Sequence, residues 1–112
     1  MKWMKTLVAA FLGVTIMSGT ALAQVSYQHV RNATGKLSYN ETTFLIDPML
    51  AEKGRYEGFA GTFNSEERNP KMDLPESKED VLKGVDALID THTHRDHRDE
   101  VAQQFINKAI PV

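Results

Sequence analysis

Cysteine is absent from the 112 residues. That excludes disulfides, a thiolate nucleophile, thiolate-bound structural zinc and a lipidated N-terminal cysteine. An excess of basic charge is also missing, since 13 Lys and Arg face 15 Asp and Glu. Lys2 and Lys5 stand ahead of residue 24 and every acidic residue behind it, so the remainder of the chain is net −4. Such a balance exerts no pull on phosphate backbones or anionic membranes, and no nucleic-acid partner is expected. Internal repeats and low-complexity segments are lacking too. The residues present are 41% hydrophobic and 25% charged, proportions of a globular domain and not of a disordered chain.

The single long apolar run is too short to span a membrane. Met1 to Lys5 is a small basic region, Thr6 to Met17 carries no charge, and Ser18-Gly19-Thr20-Ala21-Leu22-Ala23 ends in the small-x-small pattern cut by signal peptidases. A membrane anchor needs about 20 apolar residues. Residues 1–23 therefore read as a signal peptide cleaved after Ala23. The mature chain, 24–112, is expected in the periplasm or secreted, with no stable membrane anchor.

Beyond the leader, Ser26 to Arg31 alternates like a strand. Lys36 to Tyr39 and Thr42 to Ile46 read as two more strands about a tight Asn40-Glu41 hairpin. Phe44-Leu45-Ile46 is apolar on both faces, as in a strand covered from both sides. Residues 49–75, broken by Gly54, Gly58, Gly61, Pro70 and Pro75, hold no period. Tyr56, Phe59 and Phe63 give this stretch apolar anchors, so it reads as a packed surface loop near the site. Asn64, Arg68 and Asn69 are candidate substrate contacts there, with a purely structural cover as the other reading. Ser77 to Asp80 forms a capping box for a short helix that ends before Gly84. Val85 to Thr91 reads as a strand with Ala87, Leu88 and Ile89 in the core. Val101, Ala102, Phe105, Ile106 and Ala109 recur at helical spacing, with Asp99 and Glu100 in the first turn. Ile110-Pro111-Val112 resembles the entry to a further strand.

Between that strand and that helix lies Thr91-His92-Thr93-His94-Arg95-Asp96-His97-Arg98-Asp99-Glu100. Three of the four histidines fall within six residues, with an aspartate among them. Imidazole and carboxylate are donors that borderline divalent metals prefer. By chance, His-x-His-x-Asp-His arises in a chain of this length on the order of once in ten thousand sequences, so the hexad marks a metal site. Were the segment to stay extended, His92, His94 and Asp96 would share one face, and a helix starting near residue 98 would swing His97 back toward it. Four ligands crowd a single ion that must keep a position open, and two adjacent ions use them better. His29, far upstream, reads as an ordinary strand residue.

The hexad, preceded by Asn32-Ala33-Thr34, Phe44-Leu45-Ile46-Asp47-Pro48 and Gly84-Val85-Asp86-Ala87, resembles the metallo-β-lactamase superfamily of binuclear metal hydrolases, in its branch near the ascorbate-6-phosphate lactonases. The resemblance spans residues 28–112 and only the front part of that fold. It implies an α/β (α+β) architecture, the N-terminal part of an αββα sandwich. It also implies two zinc ions per complete site, although Mn2+ and Fe2+ suit the same donors. His92 and His94 would serve the first ion, and Asp96 and His97 the second. Hydroxide formed on the metals would attack an ester, lactone or phosphodiester, with Asp96 orienting the nucleophile or moving a proton. Asp47 would lie below the metal loop as a support at most, a plain strand-end turn being the other reading. The superfamily takes a further histidine, a bridging aspartate and a last histidine from later segments, so a fragment of a longer hydrolase is expected. Two alternatives remain open: a short exported metal-binding protein without catalysis, completed as a homo-oligomer, and a β-rich exported chain whose histidines are merely solvated. The expected partner is a small-molecule substrate.

Overall fold

A computed structural model describes residues 24–112; the expected leader lies outside the described residues. Alternating side chains draw the first part into an antiparallel meander of β1 (Val25–Arg31), β2 (Thr34–Tyr39) and β3 (Thr42–Ile46). At the β2–β3 turn Asn40 and Glu41 both have positive φ, 48° and 69°, as a two-residue type I′ hairpin requires. Glutamate adopts that backbone at a cost of about 1 kcal/mol. Glu41→Gly is therefore expected to raise stability by up to about 1 kcal/mol, read as a higher Tm in thermal unfolding. A lower Tm would mean that the Glu41 side chain, and not its backbone, governs the turn.

After an irregular connection comes α1 (Lys78–Leu82), then β4 (Ala87–Ile89), which pairs parallel to β3 and gives a four-stranded sheet in the order β1-β2-β3-β4. The Ser77 side chain caps α1 by accepting the Asp80 N–H, and Gly84, at φ +74°, follows its end. The last helix, α2 (Glu100–Phe105), is capped by Asp99, whose carboxylate accepts the Ala102 N–H at 2.8 Å.

The register decides which face is covered. Leu45 lies opposite Leu88, and both pack with Val81 of α1 and Ala102 of α2, together with Val30, Leu50 and Ile106. On the other face Tyr27, Leu37, Phe44 and Ala87 form one row and Gly35, Ile46 and Ile89 another. The two-sided burial expected of β3 and β4 does not hold: Phe44 and Ile46 are half-buried and Ile89 is 39% exposed. The reason is that both helices lie on the Leu45–Leu88 face. The expected mixed α and β class agrees with this sheet and its helices, while a second sheet of a sandwich is not among the described residues. The last helix also stops short of Ala109, and Phe105, its last residue, is 39% exposed, with the Lys78 ammonium 5.2 Å from its ring centre. The closing segment does run beside the sheet, with the Leu88 N–H donating to the Pro111 carbonyl at 2.8 Å.

Residues 49–75 contain no helix or strand, as their composition implies, and they are wound about one buried cation. The Arg31 guanidinium, 1% exposed, donates to the carbonyls of Met49 (2.7 Å), Ala51 (2.8 Å) and Met72 (3.0 Å). Burial draws its pKa below the ordinary arginine value, opposed by the carboxylates of Asp99 and Asp73. Tyr56 and Asn69 exchange two backbone hydrogen bonds of 2.7 and 2.8 Å, and Arg68 donates to the carbonyls of Gly54 and Arg55. Asn64 reaches Glu67 within the same loop. Of the three residues considered as substrate contacts, Asn64 and Arg68 thus brace the loop through their side chains and Asn69 through its main chain.

Candidate metal centre

The site begins where β3 and β4 end side by side. The Asp47 N–H donates to the Ile89 carbonyl at 2.9 Å, carrying the parallel ladder one rung beyond the strands. Asp47 itself turns into the left-handed region, φ 45°, and its carbonyl accepts the hydroxyl of buried Thr34 at 2.7 Å. That turn lays its side chain under the loop that leaves β4. There Oδ1 accepts the Thr91 N–H at 2.7 Å, and Oδ2 accepts the Thr91 hydroxyl at 2.7 Å. His97 Nδ1 lies 2.9 Å from the same Oδ2. Burial alone would raise the Asp47 pKa, but the donors from Thr91 and His97 outweigh it and hold it below the usual carboxylate value. At neutral pH Asp47 is an anion, and His97 faces it with Nδ1–H. The proton then resides on Nδ1, leaving the Nε2 lone pair free for a metal.

The histidine loop does not stay extended. The N–H groups of His97 and Arg98 both donate to the His94 carbonyl at 2.9 Å, closing a turn over 94–98. The turn, not the helix, brings His97 back, so that its ring centroid lies 3.7 Å from that of His92. His92, Asp96 and His97 each present one ligand atom, all within 4.8 Å of one another. His97 Nε2 is 3.7 Å from Asp96 Oδ2. His94 stands beside this group and not within it, its ring edge-on to His92 at 4.8 Å between centroids. His92 and His94 are exposed, whereas Asp96 and His97 are half-buried. His29 is elsewhere on the sheet, with Nε2 2.6 Å from the Asn32 carbonyl oxygen.

This donor set fits a divalent ion. Ligand atoms around tetrahedral zinc lie about 3.4 Å apart, so the widest gap needs to close by about 1.4 Å, within reach of side-chain torsions. Two imidazoles and a carboxylate are also a common catalytic zinc set, with a position left for water.

No family model matches the chain. It is 49% identical over 81 residues to the UPF0173 protein YddR of Bacillus subtilis (strain 168), a match covering 72% of this chain and 32% of the relative. Two solved structures are also similar. One, "a possible metal-dependent hydrolase from Veillonella parvula DSM 2008", superposes with a TM-score of 0.76 at 52% identity, covering 80% of this chain and 34% of that one. The other, an isothiocyanate hydrolase from Delia radicum gut bacteria, has a TM-score of 0.69 at 50% identity, covering 78% and 32%. The chain therefore spans about a third of the length of the relatives it matches.

Two residues of the centre escaped the pattern reading. Thr91 follows the strand and looks like spacing before the first histidine, yet it ties Asp47 to the loop, with its Oγ1 3.1 Å from His92 Nδ1 and 3.3 Å from His97 Nδ1. Arg95 falls at an outward position in an extended reading and instead turns onto the irregular loop. No local signal identifies either role, because Asp47 lies 44 residues from Thr91 and Glu57 lies 38 residues from Arg95.

Proposed function

We propose that the protein is a metal-dependent hydrolase of the metallo-β-lactamase type, with His92, His94, Asp96 and His97 as metal ligands. The observation that carries this reading is the convergence of His92, Asp96 and His97 on one spot, with His97 fixed from behind by ionised Asp47. The similarity to a protein described as a possible metal-dependent hydrolase supports it. Zinc is the ion that best suits the donors, although Mn2+ and Fe2+ bind the same set. A divalent metal bound there supplies water ionised near neutral pH and a positive charge for the developing anion. The protein residues divide the remaining work. Asp47 and Thr91 hold the histidine rings, and Asp96 would orient the attacking water or take its proton. Since the chain spans about a third of its relatives, it would supply one arm of the site, with the other ligands coming from outside these residues.

The substrate we favour is a small molecule with an electrophilic carbon or phosphorus. An isothiocyanate is added to the ester, lactone and phosphodiester suggested by the sequence, because one structural neighbour is an isothiocyanate hydrolase. We place the protein outside the cytoplasm, on the strength of the leader cut after Ala23.

The test is metal uptake after dialysis against a chelator, followed by turnover of aryl isothiocyanate, lactone and phosphodiester substrates. Stoichiometric zinc that is lost in His92→Ala and His97→Ala is the expected result for this chain, with chelator-sensitive turnover of one substrate class expected once the remaining ligands are supplied. Stoichiometric zinc without turnover even when those further ligands are present would favour the non-catalytic metal-binding alternative. Weak, non-stoichiometric uptake would overturn the metal reading altogether.

A further inference from the structure

Arg95 lies between His94 and Asp96 in the chain, yet its side chain leaves the ligand group. Its guanidinium carbon is 4.7 Å from the centre of the Tyr56 ring and 5.5 Å from that of Phe59, and one nitrogen donates to the Glu57 carbonyl at 3.1 Å. A planar, weakly hydrated cation is suited to such stacking. The two aromatics differ in anchorage. Tyr56 is 8% exposed and packs with Met49 and Ala51 against Val101 of α2, whereas Phe59 is 36% exposed. Just past the turn, buried Asp99 accepts the Ala51 N–H at 2.8 Å. The ligand-bearing turn is therefore fastened to residues 51–59 twice, by Asp99 on one side and by Arg95 in its middle.

We propose that Arg95 is a positioning residue that couples the metal-binding turn to the irregular loop. By gripping Tyr56, Glu57 and Phe59 it fixes the backbone that aims Asp96. A metal that orders the turn in return orders the 56–59 stretch. The inference rests on the metal-centre reading given above. Coupling of this kind is reciprocal: the factor by which the clamp strengthens metal binding is the factor by which metal strengthens the clamp.

The experiment is hydrogen–deuterium exchange over residues 56–63 of the full chain, with and without Zn2+, paired with Zn2+ affinity from competition against a chromophoric chelator. Zn2+ is expected to slow exchange of this stretch in the wild type. Arg95→Ala should abolish the slowing and weaken Zn2+ binding by about fivefold. Phe59→Ala, which leaves every ligand and every buried side chain in place, should act in the same direction and less strongly. Arg95→Lys should fall between, since an ammonium keeps the charge but lacks the planar face. Zn2+ affinity and loop exchange both unmoved by Arg95→Ala would overturn the coupling and leave the metal site standing. A wild-type chain that takes up no stoichiometric Zn2+ would overturn both.

Discussion

Asp47→Asn is expected to lower Zn2+ affinity by about 10- to 100-fold, the usual consequence of losing the partner behind a metal-binding histidine. The carboxamide keeps the shape of the side chain, and its oxygen can still accept the Thr91 N–H that now reaches Oδ1 at 2.7 Å. Its NH2 group then takes the place of Oδ2 and turns donors toward His97 Nδ1 and the Thr91 hydroxyl. Facing a donor, Nδ1 becomes the acceptor, and the imidazole proton moves to Nε2, the nitrogen needed by the metal. Asp47→Ala should weaken metal binding as well. It should also cost about 1–3 kcal/mol of stability by leaving the Thr91 N–H without its partner. Competition titration with a chromophoric chelator measures the first effect and urea unfolding the second. If Asp47→Asn binds Zn2+ as tightly as the wild type, His97 is oriented by something other than Asp47.

Arg31→Leu is expected to remove about 3–5 kcal/mol of folding stability, the range seen when one member of a buried charged network is taken away. Leucine fills part of the space and satisfies none of the carbonyls of Met49, Ala51 and Met72. It also strips a cation from the neighbourhood of Asp99 and Asp73. For a domain of this size that loss is a large share of the total. Arg31→Lys should be nearly as damaging, since one ammonium cannot replace a planar fork that meets three carbonyls. Urea unfolding gives the magnitude, and limited proteolysis should show cleavage within 49–75 before the sheet is lost. A change below about 1 kcal/mol would mean that those carbonyls find water as readily as they find Arg31.

The features legible in the amino acids were those settled within a few residues. Alternation located β1 to β3, Ser77 announced α1, and Gly84 with its left-handed φ followed that helix. The hexad announced its chemistry because donor type and spacing are local properties. What could not be read was which side of an apolar strand meets the helices. Ile89 is as hydrophobic as Leu88, and only the placement of α1 and α2 makes one exposed and the other buried. The bend at His94 was likewise hidden, because neither glycine nor proline marks it and the two hydrogen bonds that close it are ordinary main-chain contacts. Arg31, Asp47 and Arg95 took their roles from partners 18 to 50 residues away, a separation at which spacing carries no information.

The parallel pairing of β3 with β4 also acts as a proofreader. Asp47 meets Thr91 only if Leu45 lies beside Leu88, because both contacts belong to one ladder. A slip of β4 by one residue would turn Leu88 out of the core and, in the same movement, carry Thr91 away from the carboxylate that steadies His97. An error in the placement of the ligands is therefore charged to the apolar core, where even a small mistake is strongly disfavoured, and the geometry of an exposed metal loop inherits the fidelity of hydrophobic packing.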